Sequence, residues 1–356
     1  MDKTFWKNKK VFITGNTGFK GSWLTFWLNR LEASVVGYSL RPDTEPALFN
    51  ILGLENKVQT YYGDVRDFEH FHAVLTDFQP EIILHLAAQP LVREAYLNPT
   101  VTVDVNVTGT SNLLAIAKKL SSVKSLVNVT TDKCYLNVEQ IWSYRETDPL
   151  GGHDPYSASK ACSEIITQSY YKSFFSEDDK LAGVASARAG NVIGGGDWSK
   201  DRIITDILNA QNTGDVLQLR SPNATRPWQH VFEPLYGYLL LAQRLFEDKH
   251  KYSGAWNFGP NENDIVSVSK LLEVYSTLSD RSIMWRTPHA SDFHEAELLS
   301  LDTTKAKKYL EWAPRFNFEQ ALAYTEEWYR AYDMGHQMSE ICSEQLDRYE
   351  KLIGYL

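Results

Sequence analysis

The sequence predicts an α/β protein built on a doubly wound parallel sheet. Three observations predict it. Apolar runs of strand length alternate with segments of helical periodicity through the first half of the chain. The first run is followed by a glycine-rich turn that opens a helix. The later runs close on small or reactive residues, Ala87-Ala88 and Thr131-Asp132-Lys133. In such sheets ligands bind outside the carboxyl ends of the strands, so these residues stand where chemistry is expected.

Length and composition bound the function. A chain of 356 residues suits two domains and a sizeable core. Its 43% hydrophobic content includes no apolar run long enough to cross a bilayer, so no membrane partner is expected. The formal charge of −9 argues against nucleic acid, whose phosphates need clustered lysine and arginine. Met1-Asp2-Lys3-Thr4 enters the fold without the apolar segment of a signal peptide. Cys134, Cys162 and Cys342 fit neither a disulfide framework nor a zinc spacing. The expectation is a cytoplasmic protein with reduced thiols and no metal.

In chain order, the first strand is Lys10-Val11-Phe12-Ile13-Thr14. The turn Gly15-Asn16-Thr17-Gly18-Phe19-Lys20-Gly21 follows, and Ser22 to Leu28 reads as a helix with a broad apolar face. Gly15, Gly18 and Gly21, with Thr17 and Phe19 between them, are spaced as a dinucleotide cradle: glycines let the backbone approach a pyrophosphate on the helix N-terminus. The spacing is G-x-x-G-x-x-G, and a ligand-free connecting turn would share it. The next strand, Ala33 to Tyr38, ends in Ser39-Leu40-Arg41, where an acidic residue would hold the ribose hydroxyls of NAD. Arg41 suits either a 2′-phosphate or a plain surface loop. Gly63-Asp64-Val65-Arg66-Asp67 closes a short strand, and its carboxylates would either reach an adenine or cap the helix beginning near Phe68.

Glu81 to Ala88 is a buried-type strand whose small end, Ala87-Ala88, leaves room for a flat ligand. His85 within it reads as a core histidine. Asn106 to Lys119 has helical periodicity, and Ser125 to Val129 is a strand that delivers Thr131, Asp132 and Lys133. Asp154-Pro155-Tyr156-Ser157-Ala158-Ser159-Lys160 then opens a helix whose small residues permit close packing. Tyr156 and Lys160 stand one turn apart on one face. A cation there favours the phenolate and draws the tyrosine toward working range.

The glycine turn, Ala87-Ala88, Thr131 and Tyr156-x-x-x-Lys160 together resemble the extended short-chain dehydrogenase/reductases over most of the chain. The resemblance implies a Rossmann-type sheet, a smaller α/β substrate domain and a bound NAD. Thr131-Asp132 resembles the nucleotide-sugar 4,6-dehydratases, with Lys133 where those enzymes carry glutamate. Asp132-Lys133 together with Gly18-Phe19-Lys20-Gly21-Ser22-Trp23 resembles the branch acting on CDP-D-glucose. In that family Tyr156 takes the O4 proton during C4 oxidation, Thr131 bonds the same oxygen, and Lys160 holds the ribose and lowers the tyrosine pKa. Elimination across C5 and C6 needs a second acid/base set. Asp132 and Lys133 stand in place for it, with enolate stabilisation the rival role for Lys133.

The second half follows the same resemblance. Gly183 to Arg188 is a strand leading into the glycine cluster Gly194-Gly195-Gly196, and Asn191 is implied as a contact of the substrate diphosphate. Arg220 and Arg226 flank a Pro/Asn turn and suit a diphosphate clamp, whereas Trp228 and His230 read as packing and supporting groups. Ala255 to Pro260 resembles a strand that rejoins the first domain. Segments 295–302 and 305–312 resemble the end of the substrate domain. Glu319 to Tyr332 and Met338 to Leu352 read as amphipathic packing helices. The dinucleotide domain is therefore expected over 1–188, with returning segments near 228–260. The substrate domain is expected over 189–356, interleaved with it. The family implies a homodimer. An epimerase or reductase would leave Asp132-Lys133 without a task, and a sensor would not require the reactive set. The base of the nucleotide sugar and the choice between NAD and NADP are not set by spacing.

Overall fold

Strand β1 (Lys10–Thr14) buries every residue from Val11 onward, the pattern of a strand covered on both faces. This computed structural model describes residues 2–219, 221–279, 281–287 and 298–354. The following strands are β2 (Ser34–Ser39), β3 (Gln59–Tyr62), β4 (Ile82–His85), β5 (Ser125–Val129) and β6 (Gly183–Ala189). Beyond them come the short strands β7 (Val192–Ile193), β8 (Leu217–Gln218), β9 (Thr225–Pro227) and β10 (Gln229–His230). The last are β11 (Gly254–Phe258), β12 (Ile265–Ser267) and β13 (Trp285–Arg286).

Seven strands form one parallel sheet in the order β11-β6-β5-β4-β1-β2-β3. Successive side chains alternate between two cores, as the period of a strand requires. Val11, Ile13, Ile82, Leu84, Val127 and Val129 point into one, while Phe12, Ile83 and Leu126 point into the other. The first core holds Trp23 and Trp27 of the Phe19–Arg30 helix and much of the Phe232–Glu247 helix. The second holds Phe71 and Leu75 of the Phe68–Phe78 helix and Leu113 and Leu114 of Gly109–Ala117. The predicted doubly wound α/β class is the observed one.

From β1 the chain winds outward to β3, then returns to the other side of β1 at β4 and winds away to β6. The crevice between the carboxyl ends of β1 and β4 is thus the topological switch point, the usual ligand position in such sheets. The strand read at Ala255 to Pro260 is β11, which pairs in parallel with β6. The helix before it, Phe232–Glu247, packs on β4, β5 and β6. This helix, buried over most of its circumference, is not among the elements read from the sequence.

Three two-stranded sheets lie apart from the large one: β7 with β10, β8 with β13, and β9 with β12. The C-terminal helices Phe318–Asp333 and Met338–Leu352 match the predicted packing helices. Expectations for Arg220 and for residues 295–297 fall outside the described residues. Among the described residues no helix is long and apolar enough to cross a membrane.

Candidate active site

At the end of β5, Thr131 caps a single tight turn, Asp132–Cys134, by accepting the Lys133 backbone N–H at 3.4 Å. The Thr131 hydroxyl donates to Asp132 Oδ1 at 2.9 Å, and Lys133 Nζ lies 3.4 Å from the same oxygen. Asp132 is fully buried, whereas the Lys133 side chain is one-third exposed and lines a cavity. Facing this turn is the Pro155–Tyr170 helix. Asp154 caps it by accepting the Ser157 N–H at 3.0 Å, and Pro155 fills the first position, where its missing N–H costs nothing. Tyr156 and Lys160 are both nearly buried on its inner face, and the Lys160 ammonium donates to the Val129 carbonyl at 3.3 Å. Strand end and helix are thereby tied together. Of the small residues on the helix, Ser159 and Ala161 are buried as expected, but Cys162 faces outward.

The electrostatics correct one expectation. Burial pushes Tyr156 up to about 12, against the Arg202 charge and the Thr131 hydroxyl, which favour the phenolate. Asp132 and Asp154 push it further up. Burial also draws Lys160 down to about 8, against the field of Glu164 and the buried Cys134. The ammonium one turn away therefore does not bring the tyrosine into working range in this state. Desolvation outweighs it, and the cation that favours the phenolate is Arg202 instead.

Behind the turn lies a buried polar frame. Arg188 on β6 gives Nε and Nη2 to the two oxygens of Glu164 at 2.9 and 3.0 Å, and Nη1 to the Tyr135 hydroxyl at 2.7 Å. Glu164, one turn beyond Lys160, also accepts the Thr130 hydroxyl. Tyr135 in turn donates to Asn257 on β11 at 2.7 Å. One ion pair thus fixes the strand end, the reactive helix and the seventh strand relative to each other.

On the cofactor side, Gly15 adopts φ +72°, and a Cβ there would meet the Ala87 backbone N at 2.8 Å. A Cβ on Gly21 would lie 2.0 Å from the Gly15 carbonyl, so no side chain fits. Gly18 stands at the N-cap of the Phe19–Arg30 helix without a side-chain cap, leaving the first-turn N–H groups turned to the crevice. Thr17 is tied to the end of β2, its hydroxyl 2.7 Å from Ser39 Oγ and donating to the Leu40 carbonyl.

Arg41 is a surface residue whose guanidinium lies 4.3 Å over the Tyr62 ring. Asp67 caps the Phe68–Phe78 helix, while Asp64 pairs with Arg66 at 2.7 Å and caps nothing. Val65 is buried against Gly109, and Ala88 sits with Ala87 at the half-buried end of β4. His85 is the core histidine expected: it is buried, sits 2.7 Å from the Thr14 hydroxyl and is drawn down to about 3 by desolvation.

A cavity of about 720 Å³ opens beside the reactive residues, with Lys133, Ser157, Asn191, Arg202, Arg226 and Trp228 in its wall. Asn191 Oδ1 is buried there without a hydrogen-bond partner, and Arg226 donates to the Thr225 carbonyl at 2.9 Å. His230 is fully buried among Phe232, Phe316 and Tyr324, a packing role as read from sequence.

Three residues escaped the sequence reading. Arg202 precedes the Ile203–Thr213 helix, far along the chain from Tyr156, and no local pattern marks it. Lys20 is half-buried and drawn down to about 8, first by desolvation and then by the charges of Arg202 and Lys160. A charged residue directly before the last glycine of the turn was the available signal. Tyr238 is buried in the Phe232–Glu247 helix, within the field of Tyr156 and Asp132.

The comparisons with known proteins agree with this geometry. Residues 12–325 match the GDP-mannose 4,6 dehydratase family. The CDP-glucose 4,6-dehydratase of Salmonella typhimurium is 45% identical over 348 residues, 97% of this chain and 97% of that protein. The GDP-mannose 4,6-dehydratase of Yersinia enterocolitica is 26% identical, covering 88% of this chain and 92% of its own. Among solved structures, the dTDP-glucose 4,6-dehydratase of Streptomyces venezuelae with NAD and TYD bound superposes with TM-score 0.77. It is 22% identical and covers 92% of this chain and 99% of its own, which bears on the fold alone. With a matched span from β1 into the Phe318–Asp333 helix and a relative of this identity along nearly the whole chain, the protein belongs to the GDP-mannose 4,6 dehydratase family.

Proposed function

We propose that the chain is an NAD-dependent CDP-glucose 4,6-dehydratase, forming CDP-4-keto-6-deoxy-D-glucose. The observation that carries the reading is the meeting of two reactive pairs beside one cavity. Lys133 lines it from the end of β5 with Asp132 buried behind, and Tyr156 and Lys160 are buried on the helix whose Ser157 stands in the cavity wall. A 4-epimerase or a reductase needs only the first pair. The similarity to a CDP-glucose 4,6-dehydratase at 45% identity supports the same substrate.

The residues fit a dinucleotide. The backbone at Gly15, Gly18 and Gly21 is a cradle that side chains would fill, and the uncapped helix N-terminus suits a pyrophosphate. Ser39 stands where an acid would demand NAD, and Arg41 is engaged with Tyr62, so the site neither demands nor repels a 2′-phosphate. Bound NAD supplies the acceptor and later the donor of the hydride in a cycle that consumes no external reductant.

This chain's groups do the rest. Tyr156 takes the O4 proton, helped by Thr131 and by the charge of Arg202. Lys160 holds the ribose. The 4-ketone acidifies the C5 proton, which Lys133 removes. Asp132 protonates the departing C6 hydroxyl, so water leaves. Asn191, Arg226 and Arg220 contact the diphosphate. We place the dinucleotide domain at 1–188 with the returning segment near 228–260, and the substrate domain over the remainder. We place the protein in the cytoplasm as a homodimer joined through the outer face of the Pro155–Tyr170 helix, where Ile165 is exposed.

The test is incubation with NAD and CDP-, dTDP-, GDP- and UDP-glucose. CDP-glucose should yield a product with the alkaline ultraviolet absorbance of a 4-keto sugar and the mass of a dehydrated sugar. Conversion of another nucleotide glucose alone would refute the substrate. C4 epimerisation without loss of water would refute the reaction.

A further inference from the structure

Tyr238 sits in the second turn of the Phe232–Glu247 helix, which packs on β5, the strand that delivers Asp132. Its side chain is fully buried, and its hydroxyl has no hydrogen-bond partner among the described residues. Asp132 is also fully buried, and its Oδ2 likewise has no partner. Both hydrogen bonds of that carboxyl, from Thr131 and Lys133, fall on Oδ1. Backbone closes the surroundings of Oδ2, for a Cβ on Gly190 would come within 2.9 Å of it. The Tyr238 ring lies edge-on to Phe258 with centroids 5.8 Å apart, and Phe258 pairs with Ala189, the residue before Gly190, so two complementary polar atoms lie orphaned in one buried region. Native proteins rarely strand such atoms without a functional reason.

The chemistry of the two groups is matched. A carboxyl that acts as an acid passes from a donor to a pure acceptor when its proton leaves. A hydroxyl serves both states, since it accepts from an acid O–H and donates to a carboxylate after a simple rotation. Burial holds the Tyr238 phenol in its neutral form, so it remains a donor throughout. The other charged or titratable groups facing this pair are Lys133, Lys20, Tyr156 and Cys134. None of them approaches Oδ2 within hydrogen-bond distance.

We propose that Tyr238 is a positioning residue for the water-loss step: its hydroxyl, through one bridging water, holds Asp132 Oδ2 in both protonation states. Oδ1 is thereby kept turned to Thr131 and Lys133. The inference rests on the reading of Asp132 as the acid of elimination.

The experiment uses the full chain with NAD and CDP-glucose and compares wild type, Tyr238→Phe, Asp132→Asn and the double variant. Tyr238→Phe should lose turnover by roughly ten- to a hundredfold, as expected for losing one hydrogen bond to a charged group. The loss should fall after C4 oxidation. Bound cofactor then absorbs at 340 nm during turnover, C5 still exchanges with heavy water, and the pH profile of product formation is displaced. In the Asp132→Asn background the same substitution should cost nothing further. The ring is retained and an orphaned hydroxyl removed, so thermal unfolding should not move downward.

An unchanged pH profile with wild-type turnover overturns the inference, as does an equal loss in the Asp132→Asn background or a loss that tracks unfolding. A wild type that makes no 4-keto product overturns the functional reading and the inference with it. A dehydrating wild type with an unaffected Tyr238→Phe overturns the inference alone.

Discussion

Replacing Arg188 by methionine tests the frame behind the reactive turn. Arg188 and Glu164 are each 3% exposed, and their pair is bidentate, at 2.9 and 3.0 Å. The substitution keeps most of the apolar stem but strands a buried carboxylate with only the Thr130 hydroxyl, and it takes the guanidinium from Tyr135. Breaking one side of such a pair costs about 3–5 kcal/mol, a large part of the ~5–15 kcal/mol that holds a domain together. At an unfolding entropy of about 2.1 cal/mol/K per residue, each kcal/mol lowers the melting temperature of a chain of this size by about 1.3 °C, so a fall of roughly 4–7 °C is expected. Removing both charges should be far milder, because a well-packed apolar pair leaves no stranded charge.

The assay is urea and thermal unfolding of Arg188→Met, Glu164→Leu and the double variant. Turnover measured on the folded fraction should also fall, since Glu164 lies one turn from Lys160 and Thr130 adjoins Thr131. A loss below about 1 kcal/mol in Arg188→Met would refute the argument. So would a double variant as unstable as the sum of the singles.

Tyr156→Phe should lower turnover by about 10²–10⁴-fold while nucleotide binding is retained, since only the proton acceptor is lost; near wild-type turnover would show that another group starts the reaction. In heavy water, Lys133→Ala should stop solvent hydrogen entering C5 while C4 oxidation persists, and Asp132→Asn should permit C5 exchange but block loss of water. Full C5 exchange in the Lys133 variant would remove that residue from the base role. Lys20 has a folded value of about 8 against a usual 10.5, so between these values the unfolded chain binds more protons and stability rises with pH. Below pH 8 the buried charge is fully present, so Lys20→Met should be more stable than wild type at pH 7. Its stability should also rise less steeply from pH 8 to 10.5 than that of wild type; an unchanged slope in denaturation midpoints would contradict the assignment.

The local pattern determined the strands and the order of most reactive residues, because those depend on contiguous residues. Lys10–Thr14 and Ser125–Val129 were legible as apolar runs, and each is a strand with the same bounds. Tyr156 and Lys160 share a face because helical spacing requires it, and Asp154 with Pro155 announces the helix start. Tertiary structure decided what depends on distant chain. The Phe232–Glu247 helix packs on β4, β5 and β6 from more than forty positions beyond the last of them, and only that packing brings Tyr238 toward the end of the sheet that carries Asp132. Arg202 reaches the field of Tyr156 from 46 positions along the chain, so no motif could include it. Above all, the acidity of Tyr156 was misjudged from spacing. Its neighbours on the helix are local, but the loss of water around its hydroxyl is a property of the assembled fold, and burial has the larger influence.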